Sequence, residues 1–540
     1  MIEGLKMILC QLFCIFLLIF RINNLPELIR KFFRSHSIEP VIWAIALFNI
    51  LLHLVVVNNL EYHRDELLYF SLGLHPDFGY ATVPPLTGWI AWLMQNIFGY
   101  SLFAVRLFPA VISGFMVLLV SAIAKELGGS SYARILAGTG IVISIFGMRT
   151  FTLFQPVHID LFFWTLSIYL VIKYVNSSSD KYLVLFGVVA GAALLNKYLI
   201  GLLFLVFLIV IPFTPLKKVF RNRRFWTGII AGIIVFMPNL IWQILHGLPV
   251  TGHLSELART QLVNVDRVAF LTDQLIMPGA VSVLTIAGIC YLFIDKNAIK
   301  FRFLGIIAIL IILTLMLLRG KSYYTIGLFP FLIAAGAVSA EKLLKKVWSR
   351  MLLAVFLILL TIPVLPIGIP VFKAERMVAY FNDLEKRYKI DLGRRWEDGS
   401  IHSLPQDYAD MLGWEELTSL ANKAYQMAPD RKSCFIYCEN YGQAGAITVI
   451  GKKYNLPEAV CFSESFMYWI PEKFDPDPTA FVYINSELGE DIKKLFRKIT
   501  NVGSISNPDA REFGTTVFLC QDPVMSFNEF WRERSKELDN

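Results

Sequence analysis

Charge is scarce in this chain. Of its 540 residues, 17% are charged, against about 25% in a soluble globular chain. The shortage excludes a fold whose surface lies wholly in water. Cysteine is scarce as well, with seven in all, which excludes a small scaffold stapled by disulfides. Cys10, Cys14 and Cys290 lie in apolar runs and read as inert packing residues. Cys434, Cys438, Cys461 and Cys520 lie in a polar tail, where one disulfide fits if that part faces an oxidising compartment. No internal repeat of fixed period and no low-complexity tract is visible, so a solenoid is excluded. The net charge of +8 comes largely from short Lys and Arg clusters between apolar runs. Membrane topology accounts for such clusters, and no nucleic-acid partner is implied.

What is abundant is apolar sequence. Hydrophobic residues make up 56% of the chain, and the mean hydropathy is +0.57. A spanning helix needs about 20 mostly apolar residues. From Val41 onward there are about eleven candidate runs of that kind, centred near residues 49, 113, 141, 166, 189, 206, 234, 284, 310, 330 and 361. The run 133–148 is short, and the run 182–213 is broken at Asn196-Lys197 into a helix pair. The first apolar stretch, Met7–Phe20, has no small-residue cleavage site after it. It reads as an uncleaved anchor or interfacial segment.

Basic residues set the orientation. With the stretch carrying Arg21, Arg30, Lys31 and Arg34 inside, alternate loops hold Lys125 and Arg134, then Lys173 and Lys181, then Lys217 to Arg224, then Lys296 to Arg302, then Lys342 to Arg350. The opposite loops are poor in Lys and Arg, so the basic side is cytoplasmic. This divides the chain into 1–40, an apolar or interfacial segment with a basic cytoplasmic stretch; 41–371, the membrane domain, with outer loops 58–102 and 244–273; and 372–540, a polar tail outside. In the tail, β-rich runs at 433–438, 480–485 and 515–520 alternate with helical stretches at 413–427 and 487–499, the pattern of a small α/β domain. Pro85–Phe98 is apolar and Trp-rich but too short to span, and is expected as an amphipathic helix in the interface.

The polar residues that interrupt or flank the runs fall on the outer side. They include Asp65, Glu66 and His75; Arg149, Gln155, His158 and Asp160; Asn196, Lys197 and Tyr198; Asn239, Trp242, His246 and His253; and Arg319, Lys321, Tyr323 and Tyr324. Ionisable groups at membrane depth are costly and mark function by default. Each also has a plainer reading. Asp65 and Glu66 serve equally as solvated loop charges, Asp160 as a helix cap, Lys197 as a snorkelling helix end, Arg319 and Lys321 as interfacial anchors, and the histidines as hydrogen-bonded structural residues. As a set, carboxylates and cations at one face suit group transfer from a lipid-linked phosphate. One carboxylate takes a proton from an acceptor hydroxyl, and cations stabilise the departing phosphate. The same carboxylates, Asp65, Glu66 and Asp160, are also candidates to hold a divalent metal. The competing class is a transporter or flippase. Transporters, however, place such groups near the midplane and often show repeated halves.

At this point a family becomes recognisable. HRDELLYFSLGLHPDFGYATVPPLTGWIAWL resembles the first extracytoplasmic loop of bacterial GT-C glycosyltransferases. These are the family-39 group related to protein O-mannosyltransferases and to the lipid A aminoarabinose transferase. The acidic pair is Asp65-Glu66, followed by Gly79-Tyr80 and Pro84-Pro85-Leu86; Thr82-Val83 stand where many relatives carry Asp-His or Lys. HIDLFFWTLSIYL with Asp160, NKYLIGLL with Lys197-Tyr198, PNLIWQILHGLPVTGH and GKSYYTIGLFPFLIAAGA resemble later family segments. LPQDYADMLGWEEL and ENYGQAGAI resemble an appended periplasmic domain.

The resemblance implies a polytopic α-helical GT-C fold of about 11–13 transmembrane helices with a C-terminal soluble α/β domain. It implies a multi-pass protein of the bacterial inner membrane, with a polyprenyl-phosphate sugar donor and a glycan, lipid or protein acceptor. It further implies inversion at the anomeric carbon on the periplasmic side. In that scheme Asp65 is the base, Glu66 and Asp160 are the accompanying acids, and Lys197, Arg319 and Lys321 face the donor phosphate. Tyr80, Tyr323, Tyr324 and His253 are the expected substrate-binding residues.

Overall fold

The computed structural model describes residues 39–389, 393–396 and 399–538. The expected N-terminal anchor and its basic stretch fall outside the described residues. Among the described residues, six helices are long and apolar enough to cross a membrane: Leu102–Glu126, Pro156–Ser177, Arg223–Leu245, Lys296–Leu317, Ser322–Leu343 and Val347–Gly368. Three bent pairs pass the same test, Ser131–Val142 with Ile145–Thr152, Ile200–Phe213 with Pro215–Arg221, and Arg267–Ile276 with Gly279–Ile294. Glu39–Val55 and Lys181–Leu194 are shorter apolar helices. Each run expected from the sequence has its counterpart here.

The breaks have local causes. Ser144 ends one helix and opens the next, its Oγ accepting from the Gly147 amide at 3.2 Å. That is an N-cap inside the short run 133–148, and the axis bends there by 57°. The 94° bend before Gly279–Ile294 turns at Gly279, whose φ of +65° suits a residue without a Cβ. Lys181–Leu194 packs backbone to backbone on Arg223–Leu245. A Cβ on Gly187 or Gly191 would run into the backbone of Gly228 or Gly232. Small residues four apart on both helices permit this approach, which is a device of helix pairs in lipid.

The loop between the first two spans contains the short helix Arg64–Ser71 and the helix Leu86–Phe98. The second buries Thr87, Gly88, Ala91, Met94 and Gln95 and exposes Trp92, Leu93, Ile97 and Phe98. An outward apolar face on a helix too short to span fits an interfacial position.

The tail carries four strands, β1 (Cys434–Cys438), β2 (Ala480–Asn485), β3 (Phe496–Ser504) and β4 (Thr516–Pro523). Their order is β1-β2-β4-β3, with β1 parallel to β2 and the other pairs antiparallel. The expected helix at 413–427 is Trp414–Met427. The expected helix at 487–499 is corrected: helix runs only over Glu490–Leu495, and β3 follows at once. Pairing with β4 over Phe496–Ser504 overrides the helical pattern of Lys493, Lys494 and Arg497, as tertiary context does for strand preference. The tail cysteines are free thiols. One hydrophobic core runs across the compositional boundary, joining Leu67, Phe70 and Phe154 to Tyr408, Trp414 and Ile447.

Gly191→Leu should overfill the seam between Lys181–Leu194 and Arg223–Leu245 and cost about 1–3 kcal/mol. The expected result is a lower unfolding temperature in detergent and a lower yield. An unchanged melting curve would contradict the close packing.

Candidate functional site

The site starts from one helix turn. His63 is the N-cap of Arg64–Ser71. Its Nδ1 accepts from the Asp65 amide at 3.0 Å, and the His63 amide donates to Glu66 Oε2 at 2.9 Å. Reciprocal bonds of this kind fix both the start and the direction of a helix. Glu66 is fully buried. Arg106 reaches it from Leu102–Glu126 through Nε to Oε1 at 3.1 Å and Nη2 to Oε2 at 2.9 Å. The Phe154 amide donates to Oε1 at 3.1 Å, and Arg106 also donates to the Val57 and Glu61 carbonyls, each at 2.6 Å. Both oxygens of Glu66 are therefore committed to protein donors. The expectation that Glu66 is a catalytic acid or metal ligand gives way to a structural role, because no open lone pair faces a substrate.

Asp65, its neighbour, points the other way and is half-buried. Its Oδ1 accepts from the Tyr441 hydroxyl at 3.0 Å and its Oδ2 from Gln155 Nε2 at 3.0 Å. The Arg64 guanidinium lies over the Tyr441 ring, 4.3 Å from its centroid. Glu464, also from the tail, accepts from the Thr82 hydroxyl. Burial pushes the Glu464 carboxyl upward and the nearby Asp65 charge adds to this, while the Thr82 bond and Arg64 pull it down. Tyr69 lies on the same short helix as Asp65. Its phenol is pushed well above the usual range by burial first, then by the charges of Asp65 and Glu464 and by Tyr441 and Tyr323.

A second cluster surrounds Asp160. This carboxylate is buried and accepts from Trp164 Nε1 at 3.2 Å. Its cationic neighbour is Lys197. Asn196, next in the turn, donates to the Pro156 carbonyl at 2.9 Å and so fixes the turn to the start of Pro156–Ser177. The Leu86 amide donates to the Leu195 carbonyl at 2.9 Å, which joins the Pro-Pro segment to the same turn. Lys197 Nζ lies 5.4 Å from the ring centroids of both Tyr323 and Tyr324, and the charge of Lys321 acts on it. His253 is held below its usual range by burial, against the pull of Glu256 and with that of Lys321.

Asp160, Lys197, Lys321, Tyr323 and Tyr324 thus come together, with His253 at the margin near Lys321. Arg319 does not join them in the same way. It is exposed, has φ of +55°, and donates to the Val263 carbonyl at 2.6 Å, tying two loops. Tyr80, expected to bind substrate, is 2% exposed. Its hydroxyl donates to the Leu72 or His75 carbonyl and accepts from the Asp77 amide. It packs over Gly88, where a Cβ would collide with it. Tyr80 therefore shapes the loop from within.

For a metal, the expected trio Asp65, Glu66 and Asp160 does not form a ligand group. The group of His, Cys, Asp and Glu that does converge among the described residues is His63, Asp407 and Asp410, with ligand atoms within 4.8 Å of one another. Its chemistry fits a cation poorly. His63 Nδ1 accepts a hydrogen bond from the Asp65 backbone amide, so Nε2 carries the ring proton in the neutral imidazole. That nitrogen lies 3.9 Å from Asp407 and 4.0 Å from Asp410. Arg149 already pairs with Asp407, and Arg511 with Asp410 at 3.2 Å.

Sequence reasoning overlooked Arg106, Tyr69, Tyr441 and Glu464. Tyr441 stands in ENYGQAGAI, a segment noticed for its resemblance but not for chemistry. Arg106 carried a signal in being a lone cation near the start of an apolar run. Arg106→Met would leave Glu66 buried without its counter-charge, at a cost of about 3–5 kcal/mol. Thermal unfolding of the purified protein should show a large fall, and an unchanged midpoint would refute the role given to the pair.

The model of the dolichyl-phosphate-mannose-protein mannosyltransferase family matches residues 82–242. No curated protein matches the chain. Among solved structures, the chain resembles ArnT from Cupriavidus metallidurans bound to undecaprenyl phosphate, with a TM-score of 0.58 and 14% identity over 89% of this chain and 97% of that one. The apo form of the same protein gives a TM-score of 0.54 at 14% identity, with the same coverage. The apo oligosaccharyltransferase of Archaeoglobus fulgidus gives 0.47 at 13% identity over 84% and 70%. The segment match and the architecture shared with ArnT bear out the resemblance read in the sequence: the chain is built on the GT-C glycosyltransferase fold.

Proposed function

We propose that the protein is an inverting glycosyltransferase that moves a sugar from a polyprenyl-phosphate donor to an acceptor hydroxyl on the periplasmic side of the inner membrane. The observation that carries this reading is Asp65, oriented through both oxygens by Tyr441 and Gln155, in a protein that also gathers Asp160, Lys197 and the Tyr323-Tyr324 pair into a second cluster. Asp65 takes the proton of the acceptor hydroxyl. The acceptor oxygen attacks the anomeric carbon opposite the phosphate, and the bond between that carbon and the phosphate oxygen breaks. Lys197 and Lys321 balance the charge left on the polyprenyl phosphate, in the manner of preorganised electrostatic stabilisation. ArnT was crystallised with undecaprenyl phosphate, a ligand of the proposed donor class. The clusters of Lys and Arg in alternate loops support the outward placing of the tail.

Two experiments test this. Purified protein given undecaprenyl-phosphate-linked hexoses and aminopentoses should release undecaprenyl phosphate from at least one, and Asp65→Asn should abolish that release while accumulating normally. Release by the variant at the wild-type rate would remove Asp65 as the base. Flux across liposomes without bond cleavage would point to a transporter instead. A tag placed after Asn540 should be open to protease in intact spheroplasts, and protection of that tag would overturn the orientation.

A further inference from the structure

We infer that the C-terminal tail is a working part of the transfer site and acts through Tyr441 as a positioning residue for Asp65. The inference rests on the proposed role of Asp65 as base. A carboxylate that is to take a proton from an acceptor must present a defined lone pair, and one that rotates freely does so only part of the time. Here each oxygen has one donor, Tyr441 on Oδ1 and Gln155 on Oδ2, both at 3.0 Å. Gln155 comes from the membrane region, and Tyr441 lies 376 residues further along the chain than Asp65.

Tyr441 is itself held from several sides. It is the first residue of the helix Tyr441–Val449, capped by Asn440, whose Oδ1 accepts from the Gly442 and Gln443 amides at 2.9 and 3.2 Å. Asn440 Nδ2 and Gln443 Nε2 both donate to Glu512, at 3.2 and 2.8 Å. Arg64 stacks on the Tyr441 ring. The helix also sits directly on the one that carries Asp65. A Cβ on Gly442 would come within 2.7 Å of Arg64 Cγ, and one on Gly445 within 2.9 Å of the Leu67 backbone. Such an approach leaves neither helix room to shift by itself. Burial, with the charge of Asp65 adding to it, keeps the Tyr441 phenol protonated, so it remains a donor throughout the working pH range. A hydroxyl that only filled space between tail and loop would not need to meet the one carboxylate oxygen left open by Gln155.

The test uses the full-length protein in detergent or nanodiscs. The probe is an undecaprenyl-phosphate-linked sugar that the wild-type protein turns over, with undecaprenyl phosphate release as the readout. Tyr441→Phe removes one hydrogen bond to a charged acceptor and nothing else. It should lower kcat by about tenfold to a hundredfold. KM for the donor should stay unchanged, because the contacts of Tyr441 are with Asp65 and Arg64, and the unfolding temperature should fall by no more than the few degrees that one lost hydrogen bond explains. Tyr425→Phe, whose hydroxyl bonds the Arg431 carbonyl in the same tail, should behave as wild type. Wild-type kcat in Tyr441→Phe overturns the inference, and so does a loss of rate that tracks a fall in unfolding temperature. Asp65→Asn is measured in parallel. If it is inactive while Tyr441→Phe is fully active, the tail has no positioning role and the base assignment stands. If it is fully active, the base assignment itself has failed.

Discussion

The buried pair of Glu66 and Arg106 is the constraint on which the candidate site depends. Two charges taken out of water are costly unless every lone pair and proton finds a partner. Here the partners come from separate parts of the chain. Glu66 takes donors from His63, Arg106 and Phe154, while Arg106 donates to carbonyls at Val57 and Glu61. Satisfying this pair therefore fixes the loop that leaves the first helix, the helix Leu102–Glu126 and the turn before Pro156–Ser177 relative to one another. Asp65 is the next residue along and Gln155 the next after Phe154. Their contact follows from the geometry that the pair imposes.

A second constraint brings in the tail. The helix Tyr441–Val449 rests on Arg64–Ser71 at a distance that only glycine allows at positions 442 and 445. The shared core extends this contact from Leu67 and Phe70 to Trp414 and Ile447. Further bonds tie the tail down: Arg149 to Asp407, Thr82 to Glu464, and the Ala81 amide to Ser465. The tail thus packs onto the first loop rather than hanging from the last span. It supplies polar groups beside Asp65, while the membrane region supplies the cations around Asp160.

The two clusters differ in how plainly they could be read. Asp160, Lys197, Lys321 and the Tyr323-Tyr324 pair stand out as polar breaks in long apolar runs, and hydropathy alone puts them on one side. Asp65 is conspicuous through its motif. Tyr80 belongs to the same motif, yet it is an internal brace, because the loop folds over it and its hydroxyl finds carbonyls nearby. Glu66 misleads for a related reason. As an acid beside an acid it looks functional, and nothing local reveals that an arginine 40 residues away consumes it.

The sequence by itself determined the membrane character, the runs that become helices and the strands β1, β2 and β4. These are properties of local composition and period, which act on neighbouring residues. Tertiary structure decided which side chains are free to act. Whether each oxygen of a carboxylate has one donor, as in Asp65, or two or more, as in Glu66, depends on donors that arrive from distant segments. The meeting of Tyr441 with Asp65 is of this kind: both residues lie in recognisable motifs, but only the packing of two glycine-lined helix faces brings them within a hydrogen bond.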